Sequence, residues 1–414
     1  MPAAPTPSSH QRLVIGVMTG TSIDGIDAAA VRITGHGLLA TATFAHAVSL
    51  SLDDSSASSP AGPLTTRLRR IAEQDPMTAA AMAAASRDLS AVYAAAIARL
   101  IMELKLAPSD IAFISAHGQT VFHAPPVSWQ MLTPALIAAR LGIPVVSDLR
   151  AADLAAGGQG APITPIADWL LLRNYAESRA IVNLGGFCNQ TVLPAAGNSD
   201  SIRGGDVCAC NHLLDTVARR CLGAPYDHNG AAALTGTVND DALDDLRAIL
   251  LVQASSKRSL GTGDEVMGWI GRYRAAVSGP DLAATACEAI AEMIAKAVAS
   301  GGGGATLLEG AAGAGGAAET VDRVLLAGGG LKNAALVRAI GSCCSAKVQP
   351  TDALGVPGAY REAIAMAVLG ALCADGIPIT LTAVTGTPNP PVAGTWVFPA
   401  GPRDVSRIHA RSDS

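Results

Sequence analysis

The amino-acid sequence predicts an α/β protein built from two lobes with a cleft between them. Two distant stretches share one pattern, in which a short β-type run, a glycine turn and a second β-type run follow one another: residues 12–33 and 180–194. Apolar runs of helical period alternate with further β-type runs between and after them. This pattern is typical of a duplicated α/β core, and ligands commonly bind in the cleft between two lobes.

The elements follow from the periodicity of the apolar residues. The predicted helices span residues 77–105, 133–141, 164–176, 208–221, 238–252, 263–275 and 281–299, and further predicted strands span 111–115, 143–147 and 321–326. Ser-, Pro- or Gly-rich composition predicts loops at 51–63 and 300–319. The predicted lobes are 12–155 with 376–400, and 156–375, and residues 1–11 and 401–414 are predicted to be flexible tails.

Composition narrows the function classes. The chain has 414 residues, of which 50% are hydrophobic and 15% charged, enough to build a large core. A net charge of −5 argues against nucleic acid as a partner. The apolar run 363–374 is too short to span a membrane, so it predicts a buried helix and no membrane partner. With no secretory pattern at the start and eight cysteines at irregular spacing, we expect a reducing, cytoplasmic location.

The first glycine turn has the composition of a phosphate-binding turn. Backbone N–H groups and hydroxyls of such a turn can hold phosphate oxygens, and an acidic side chain beside a polyphosphate suits water-mediated contact with Mg²⁺. We therefore predict nucleotide contacts from Gly20, Thr21, Ser22, Ile23, Asp24, Gly25, Ile26 and Asp27, with Asp24 near the metal. A plain hairpin turn with two solvated Asp residues is the alternative.

Two later glycine turns add to this prediction. One contains Asn183, Gly185 and Gly186. The other, Gly328–Gly330 with Asn333, lies between an apolar strand and a helix, where helix N–H groups can bind phosphate. The turn at Gly328–Gly330 does not match the G-x-G-x-x-G dinucleotide pattern. Three such turns, each after a β-type run, together indicate a nucleotide held between the lobes.

Two polar stretches are candidates for binding a second substrate. Residues 115–123 contain His117 and Gln119, and residues 148–165 contain Arg150 and Gln159 around a GGQG turn. Neither stretch has the spacing of a zinc site. The alternative for both is a polar loop in which the His side chains make structural hydrogen bonds.

The segment GGDVCACNHLLD (204–215) permits two hypotheses. Cys208, Cys210 and His212 could form a metal clamp, or Asp206 could be a catalytic carboxylate. The spacing of Leu213, Leu214, Val217 and Cys221 predicts a helix that begins near residue 208. In a helix the three soft ligands do not converge, which favours the carboxylate.

Several motifs, taken in order, resemble those of anhydro-N-acetylmuramic acid kinases. The motifs are MTGTSIDGIDAA, SAHGQTVFH, DLRAADLAAGGQGAPITP, NLGGFCNQT, LAGGGLKN, TDALGVPGAYREAIAMAVLG and VTGTP. The resemblance covers residues 12 to 400. It implies the ribonuclease-H-like fold of sugar kinases, actin and Hsp70, with ATP and Mg²⁺. It also implies a reaction in which water opens 1,6-anhydro-N-acetylmuramic acid while its 6-oxygen is phosphorylated.

The resemblance also assigns roles to residues. The family's FDTGPGN segment corresponds to GDVCACN, which places the general base on Asp206, and Glu362 matches a Glu near the sugar. We expect His117, Arg150 and Gln159 on the sugar side as well. The chain departs from the family in this segment and in RSLGTGDE (258–265), where the family has KSTGRE. A catalytically impaired nucleotide-binding homologue and a kinase for another amino sugar are therefore alternatives, and a homodimer is a further expectation.

Overall fold

The computed structural model describes residues 11–20, 23–53, 62–195, 197–255, 264–300 and 321–401, which fold as two compact units. One unit comprises Met1–Leu171 with Glu362–Ser414, and the other Leu172–Arg361. The sequence placed these boundaries after residues 155 and 375. The helices Pro165–Leu172 and Arg361–Ala374 lie between the predicted and the observed boundaries, and both belong mainly to the first unit.

The secondary structure of the described residues alternates between strands and helices. The strands are β1 Gln11–Thr19, β2 Gly25–Thr34, β3 Thr41–Ser51, β4 Phe113–His117, β5 Gln119–Ala124, β6 Val127–Met131, β7 Val145–Ser147, β8 Arg179–Leu184, β9 Phe187–Leu193, β10 Arg203–Ala209, β11 Arg323–Ala327, β12 Lys347–Pro350 and β13 Thr395–Val397. The helices are α1 Leu64–Ala72, α2 Ala79–Glu103, α3 Pro134–Leu141, α4 Ala151–Ala155, α5 Pro165–Leu172, α6 Asn211–Val217, α7 Ala231–Thr235, α8 Asp240–Ser255, α9 Asp264–Tyr273, α10 Gly279–Ser300, α11 Ala334–Cys343, α12 Arg361–Ala374 and α13 Thr382–Thr385.

The main sheets of the two units share one topology. The first has the order β13-β7-β4-β1-β2-β3, and the second has the order β10-β9-β8-β11-β12. In each sheet three antiparallel strands come first in the chain, and the first of them then pairs in parallel with a later strand, β4 or β11. This shared order confirms the predicted α/β class, its duplication and the ribonuclease-H-like expectation.

Helices cover both faces of the first sheet. Strand β1 is buried from its second residue to its last, as expected for a strand enclosed between helix layers. Leu89, Tyr93 and Ile97, at helical spacing on α2, pack in the core on one face. On the other face Gly16 lies against the backbone of α12, whose residues 363–374 are all buried, as predicted.

Helix α10 is the centre of the second unit. Its buried residues include Leu282, Ile290 and Ile294, and the helix packs against α7, α8, α11 and β10. Val182, Leu184 and the other inward-facing residues of β8 belong to the same core. None of the described helices combines the length with the apolar, weakly charged character of a membrane span.

One prediction of local structure was wrong at its start, and one alternative interpretation does not hold. The segment 208–221 is not helical from residue 208, because β10 continues to Ala209 through its antiparallel pairing with β9. The HGQT segment is not a loop, because His117 ends β4 and Gln119 begins β5. Each of these segments gains hydrogen bonds from a neighbouring strand, β9 for β10 and β6 for β5, which local periodicity does not report.

Some predictions fall outside the described residues. These are the tail residues 1–10 and 402–414, most of the predicted loops at 51–63 and 300–319, and residues 258–263 of the RSLGTGDE segment.

Candidate functional site

The glycine turns of the second unit lie side by side at one edge of its sheet. Strands β8 and β11 run parallel, with Ala327 opposite Asn183. Gly185–Gly186 and Gly328–Gly330 follow the ends of these strands. The carboxyl ends of parallel strands meet at one edge, which is where open α/β sheets bind ligands.

These turns approach each other too closely to carry side chains. Gly328 has a φ of +90°, and a Cβ placed there would lie 2.8 Å from the carbonyl oxygen of Leu184 and 2.9 Å from Oδ1 of Asn183. A Cβ on Gly330 would lie 2.7 Å from Cβ of Leu184. Only glycine permits this approach, and bare backbone of this kind suits phosphate oxygens. The two turns present bare backbone, and their contact with the phosphates of a nucleotide stays a prediction.

Asn333 follows the second glycine turn and caps α11. Its Oδ1 accepts a hydrogen bond from the backbone N–H of Leu336 at 3.0 Å. The predicted strand–glycine–helix junction is present, with a short 3-10 turn at Gly329–Lys332 between strand and helix. The side chain thus has a structural role, and its contact with a nucleotide stays a prediction.

Asp206 lies on β10, the edge strand next to β9. It is opposite Asn189, and the ladder is irregular between Asp206 and Cys208. Its side chain is exposed to solvent, yet the protein around it desolvates the carboxylate and raises its pKa above the ordinary value. An accessible carboxylate of raised basicity is suited to accept a proton.

The residues that replace the family's pattern after Asp206 belong to the core. Val207, Cys208 and Cys210 are each 0% exposed and pack in the core of the second unit. The altered side chains therefore lie beneath the surface that presents Asp206.

The cysteines considered for a metal clamp are buried thiols. Cys208 is opposite Cys188 in the ladder, and burial raises the pKa of Cys208 to about 12 and those of Cys188 and Cys210 well above the ordinary thiol value. Within the described ranges, no three His, Cys, Asp or Glu side chains are grouped to hold a metal ion.

The backbone N–H groups at the start of α6 are hydrogen-bonded to the Gly185–Gly186 turn. The N–H groups of Cys210 and His212 donate to the carbonyl of Gly186, at 2.9 and 3.1 Å, and that of Asn211 donates to Gly185 at 3.0 Å. These first N–H groups of α6 are therefore engaged by the carbonyls of the turn. The N-terminus of α6 fixes the glycine turn in place.

The hairpin turn of the first unit joins β1 to β2, and Thr21 and Ser22 lie outside the described residues. Ile23 has a φ of +53° and donates its N–H to the carbonyl of Gly20 at 3.2 Å. Ile23 and Ile26 point into the core, so only their backbone could contact a ligand.

Two Asp residues border this turn. Asp24 is exposed and precedes Gly25, whereas Asp27 accepts a 2.5 Å hydrogen bond from Ser49. The exposed Asp24 is thus the more accessible carboxylate, while Asp27 is engaged within the sheet.

Four of the predicted sugar-side residues lie in the first unit near the carboxyl ends of β1, β4 and β7. Gln119 is buried and accepts a hydrogen bond from Thr19 at 3.2 Å. Arg150 donates from Nε to Nε2 of His117 at 2.9 Å, and Glu362 lies near enough to act on the charge of Arg150.

Burial sets the charge state of this cluster. Desolvation, together with the charge of Arg150, lowers the pKa of His117 to about 3, so the ring is neutral near pH 7. Its Nε2 accepts from Arg150, so the proton resides on Nδ1. Desolvation also lowers the pKa of Arg150, to about 10, while Glu362 acts in the opposite direction. Arg150 stays positive and presents a positioned cation for an anionic group.

Gln159 is exposed on the GGQG turn, with its backbone N–H bonded to the carbonyl of Thr385 at 2.9 Å. The turn is held by Asp153, Thr385 and Thr387, to which the sequence assigned no role. A single Asp in an Ala-rich stretch beside two glycines was the available signal, but its Thr partners lie 232 and 234 residues away.

The model of the anhydro-N-acetylmuramic acid kinase family matches residues 12–399. The chain belongs to this family. The predicted resemblance is confirmed, and with it the prediction of an ATP-using kinase family.

Curated family members match over nearly their whole length. The anhydro-N-acetylmuramic acid kinase of Gloeobacter violaceus is 34% identical over 401 residues, covering 94% of this chain and 99% of the relative. That of Bordetella pertussis is 36% identical, covering 94% and 96%. That of Salinibacter ruber is 32% identical, covering 91% and 94%. A solved activator of 2-hydroxyisocaproyl-CoA dehydratase from Clostridium difficile with bound ADPNP has a TM-score of 0.43 and 12% identity, covers 86% of this chain and 93% of its own, and does not bear on function.

Proposed function

We propose that the protein is an ATP-dependent kinase that opens 1,6-anhydro-N-acetylmuramic acid with water and phosphorylates its 6-oxygen, giving N-acetylmuramic acid 6-phosphate for cell-wall recycling. Family membership supports the reaction class. The observation that carries the proposal for this chain is that Asp206 is exposed while the altered residues Val207, Cys208 and Cys210 are buried. The substitutions leave the proposed base accessible, which favours an active enzyme over an impaired homologue.

Asp206 is the proposed general base. It takes a proton from water as the water oxygen bonds to the anomeric carbon and the bond between that carbon and O6 breaks. O6 then bonds to the transferred phosphoryl group, whose bond to ADP breaks. The product contains the sugar, the hydroxyl group of the water and the phosphoryl group, and the second proton of the water resides on Asp206. Holding the water on a rigid strand supplies the orientation that such a step requires.

The nucleotide is assigned to the glycine turns. Gly185, Gly186 and Gly328–Gly330 would contact its phosphates, with Gly20 to Asp27 in the first unit as further proposed contacts. Mg²⁺, when bound, would neutralise charge on the phosphates, and the exposed Asp24 would hold it through water. These assignments rest on the tight glycine backbone and on the carboxylate's oxygen chemistry.

Gly328→Ala tests the nucleotide assignment. A methyl group there collides with Leu184 and Asn183 and requires an unfavourable φ. We expect the Kd for ATP to rise by about tenfold or more, because displacing the turn weakens phosphate contacts of about 1.5–3 kcal/mol each. Isothermal titration with ATP measures this. Gly341→Ala, where nothing lies within 4 Å of the added carbon, is the matched control, and equal affinities in the two variants would contradict the assignment.

The sugar is assigned to His117, Gln119, Arg150, Gln159 and Glu362. The positive guanidinium of Arg150 suits the carboxylate of a muramic acid, and the neutral His117 fixes its orientation. This pairing distinguishes an acidic amino sugar from a neutral one.

The pH dependence of kcat/KM should report Asp206. Because its folded-state pKa is raised, the active ionised form is lost as the pH falls through that higher value, above the ordinary Asp pKa of about 3.9. His117, with a pKa of about 3, should not titrate between pH 5 and 8. A pH profile of kcat/KM measures the acidic limb. Disappearance of that limb in His117→Gln would contradict its assignment to Asp206.

An ADP-release assay with and without the anhydro sugar tests the function. We expect sugar-dependent ADP release and a product whose mass equals sugar plus water plus a phosphoryl group. ATP binding without sugar-stimulated release would favour the impaired homologue. Release with another amino sugar but not with the anhydro sugar would favour the other-sugar kinase.

We further propose a cytoplasmic location and a homodimer. All eight cysteines are free thiols, which supports a reducing compartment. Fractionation of the source cells tests the location, and light scattering of the purified protein tests the dimer.

A further inference from the structure

Asp153 is a buried carboxylate in the first unit that accepts hydrogen bonds from three separate groups. It is 1% exposed, and its Oδ2 accepts from the backbone N–H of Gly160 at 2.7 Å. Its Oδ1 accepts from the hydroxyl of Thr385 at 2.8 Å and from that of Thr387. Both Thr residues are fully buried. Buried charge is stable only when hydrogen-bonded in this way, so the arrangement tolerates few alternatives.

Asp153 contacts the GGQG turn through its backbone as well as through its carboxylate. The N–H of Gly158 donates to the backbone carbonyl of Asp153 at 2.9 Å. A Cβ on Gly158 would overlap Thr387 and the Asp153 carboxylate, so the turn and the clamp are in direct contact. Gly160 has a φ of +67°, and a Cβ there would lie 2.7 Å from Leu154. These close contacts restrict the conformations open to the turn.

Gly160 connects this clamp to the proposed sugar site. Its N–H is held by Asp153, and its carbonyl accepts from NH1 of Arg150 at 2.7 Å. Arg150 in turn donates to His117. Two hydrogen bonds thus connect Asp153 to the guanidinium through the backbone of one residue, Gly160, whose N–H and carbonyl each make one of them. Moving Gly160 would release one of the two contacts that orient Arg150.

We propose that Asp153 is a positioning residue for the sugar, which acts through Gly160 to hold Arg150 in its binding orientation. The proposal rests on the proposed function, in which Arg150 binds the acidic sugar. Asp is required because Asn offers one acceptor oxygen and an NH₂ group, which cannot accept from both Gly160 and the Thr hydroxyls. Thr385 and Thr387 complete the clamp from the distant end of the chain.

The test is a double-mutant cycle on the full-length protein, read as the Kd for 1,6-anhydro-N-acetylmuramic acid and its KM. Asp153→Asn should weaken sugar binding by about 10- to 100-fold, the loss expected for one hydrogen bond to a charged group, with the KM for ATP unchanged. In the Arg150→Ala background the same substitution should change the Kd by less than about twofold, because coupled residues are not additive.

Control variants separate positioning from folding. Asp322, which directly precedes β11 in the second unit, also accepts hydrogen bonds from one backbone N–H and one hydroxyl, both of Ser178. Asp322→Asn should leave the sugar KM unchanged. Should Asp153→Asn not fold, Thr387→Val removes one hydrogen bond to Asp153 and should weaken sugar binding by less. Thr387→Ser keeps the hydroxyl and should bind the sugar as the wild type does.

The outcomes distinguish this inference from the proposed function. Equal effects of Asp153→Asn with and without Arg150, or equal losses for sugar and ATP, would overturn the positioning role while an active wild-type enzyme upheld the function. A wild-type protein that neither binds nor turns over the anhydro sugar would instead overturn the function.

Discussion

Asp206→Asn is expected to lower turnover by about 10²- to 10⁴-fold, the usual contribution of a general base, while the protein stays folded. The amide has nearly the shape of the carboxylate but cannot take the proton from water. The side chain is exposed on β10, so no core packing is lost. The ADP-release assay at saturating sugar and ATP measures the effect.

The stability of this variant has a definite sign. Desolvation raises the folded-state pKa of Asp206, so the ionised carboxylate destabilises the folded state. The free energy of unfolding is therefore higher at low pH, where Asp206 is protonated, and falls as the pH rises through the folded-state pKa. At pH 8 the neutral Asn should therefore leave the Tm unchanged or slightly raised. Asp200→Asn, an exposed carboxylate just before the same strand, should keep wild-type turnover. Near-wild-type activity in Asp206→Asn would remove Asp206 from the mechanism.

Gly16→Ala is expected to destabilise the first unit by about 3 kcal/mol or more, at or above the usual range for overpacking. A Cβ on Gly16 would overlap the carbonyl oxygen of Ala363 and the backbone nitrogen of Ala367. Both contacts are backbone atoms of α12, so no side-chain rotation can relieve them. Strand β1 and helix α12 would have to separate. Chemical denaturation followed by circular dichroism measures the loss.

The same substitution should reach the proposed site. Glu362 is in the first turn of α12, next to Ala363, so displacing the helix moves a proposed sugar contact. We expect the residual folded enzyme to have a raised KM for the sugar. Gly268→Ala is the matched control, because nothing lies within 4 Å of the added carbon in α9, and it should stabilise by up to about 1 kcal/mol. Equal effects at the two positions would contradict the packing argument.

Much of the fold follows from local chemistry in the sequence. The strand–glycine–strand units, helix α2 and the buried helix at 363–374 were predicted because apolar spacing and turn residues act over short distances. The glycine turns at Gly185 and Gly328 were predicted for the same reason. Of the site, Asp206 was located by resemblance, and its exposure is consistent with the assigned role.

The sequence by itself determined the α/β class, the duplication, the family and the glycine turns, since each depends on residues close together in the chain. Only the tertiary structure decided that Cys208 belongs to a strand, that the altered residues around Asp206 are buried, and that Asp153 clamps the GGQG turn. The physical reason is the same in each case. The pairing of β10 with β9 depends on contacts between strands that the apolar spacing of one segment does not report, and the hydrogen bonds from Thr385 and Thr387 to Asp153 join residues 232 and 234 positions apart.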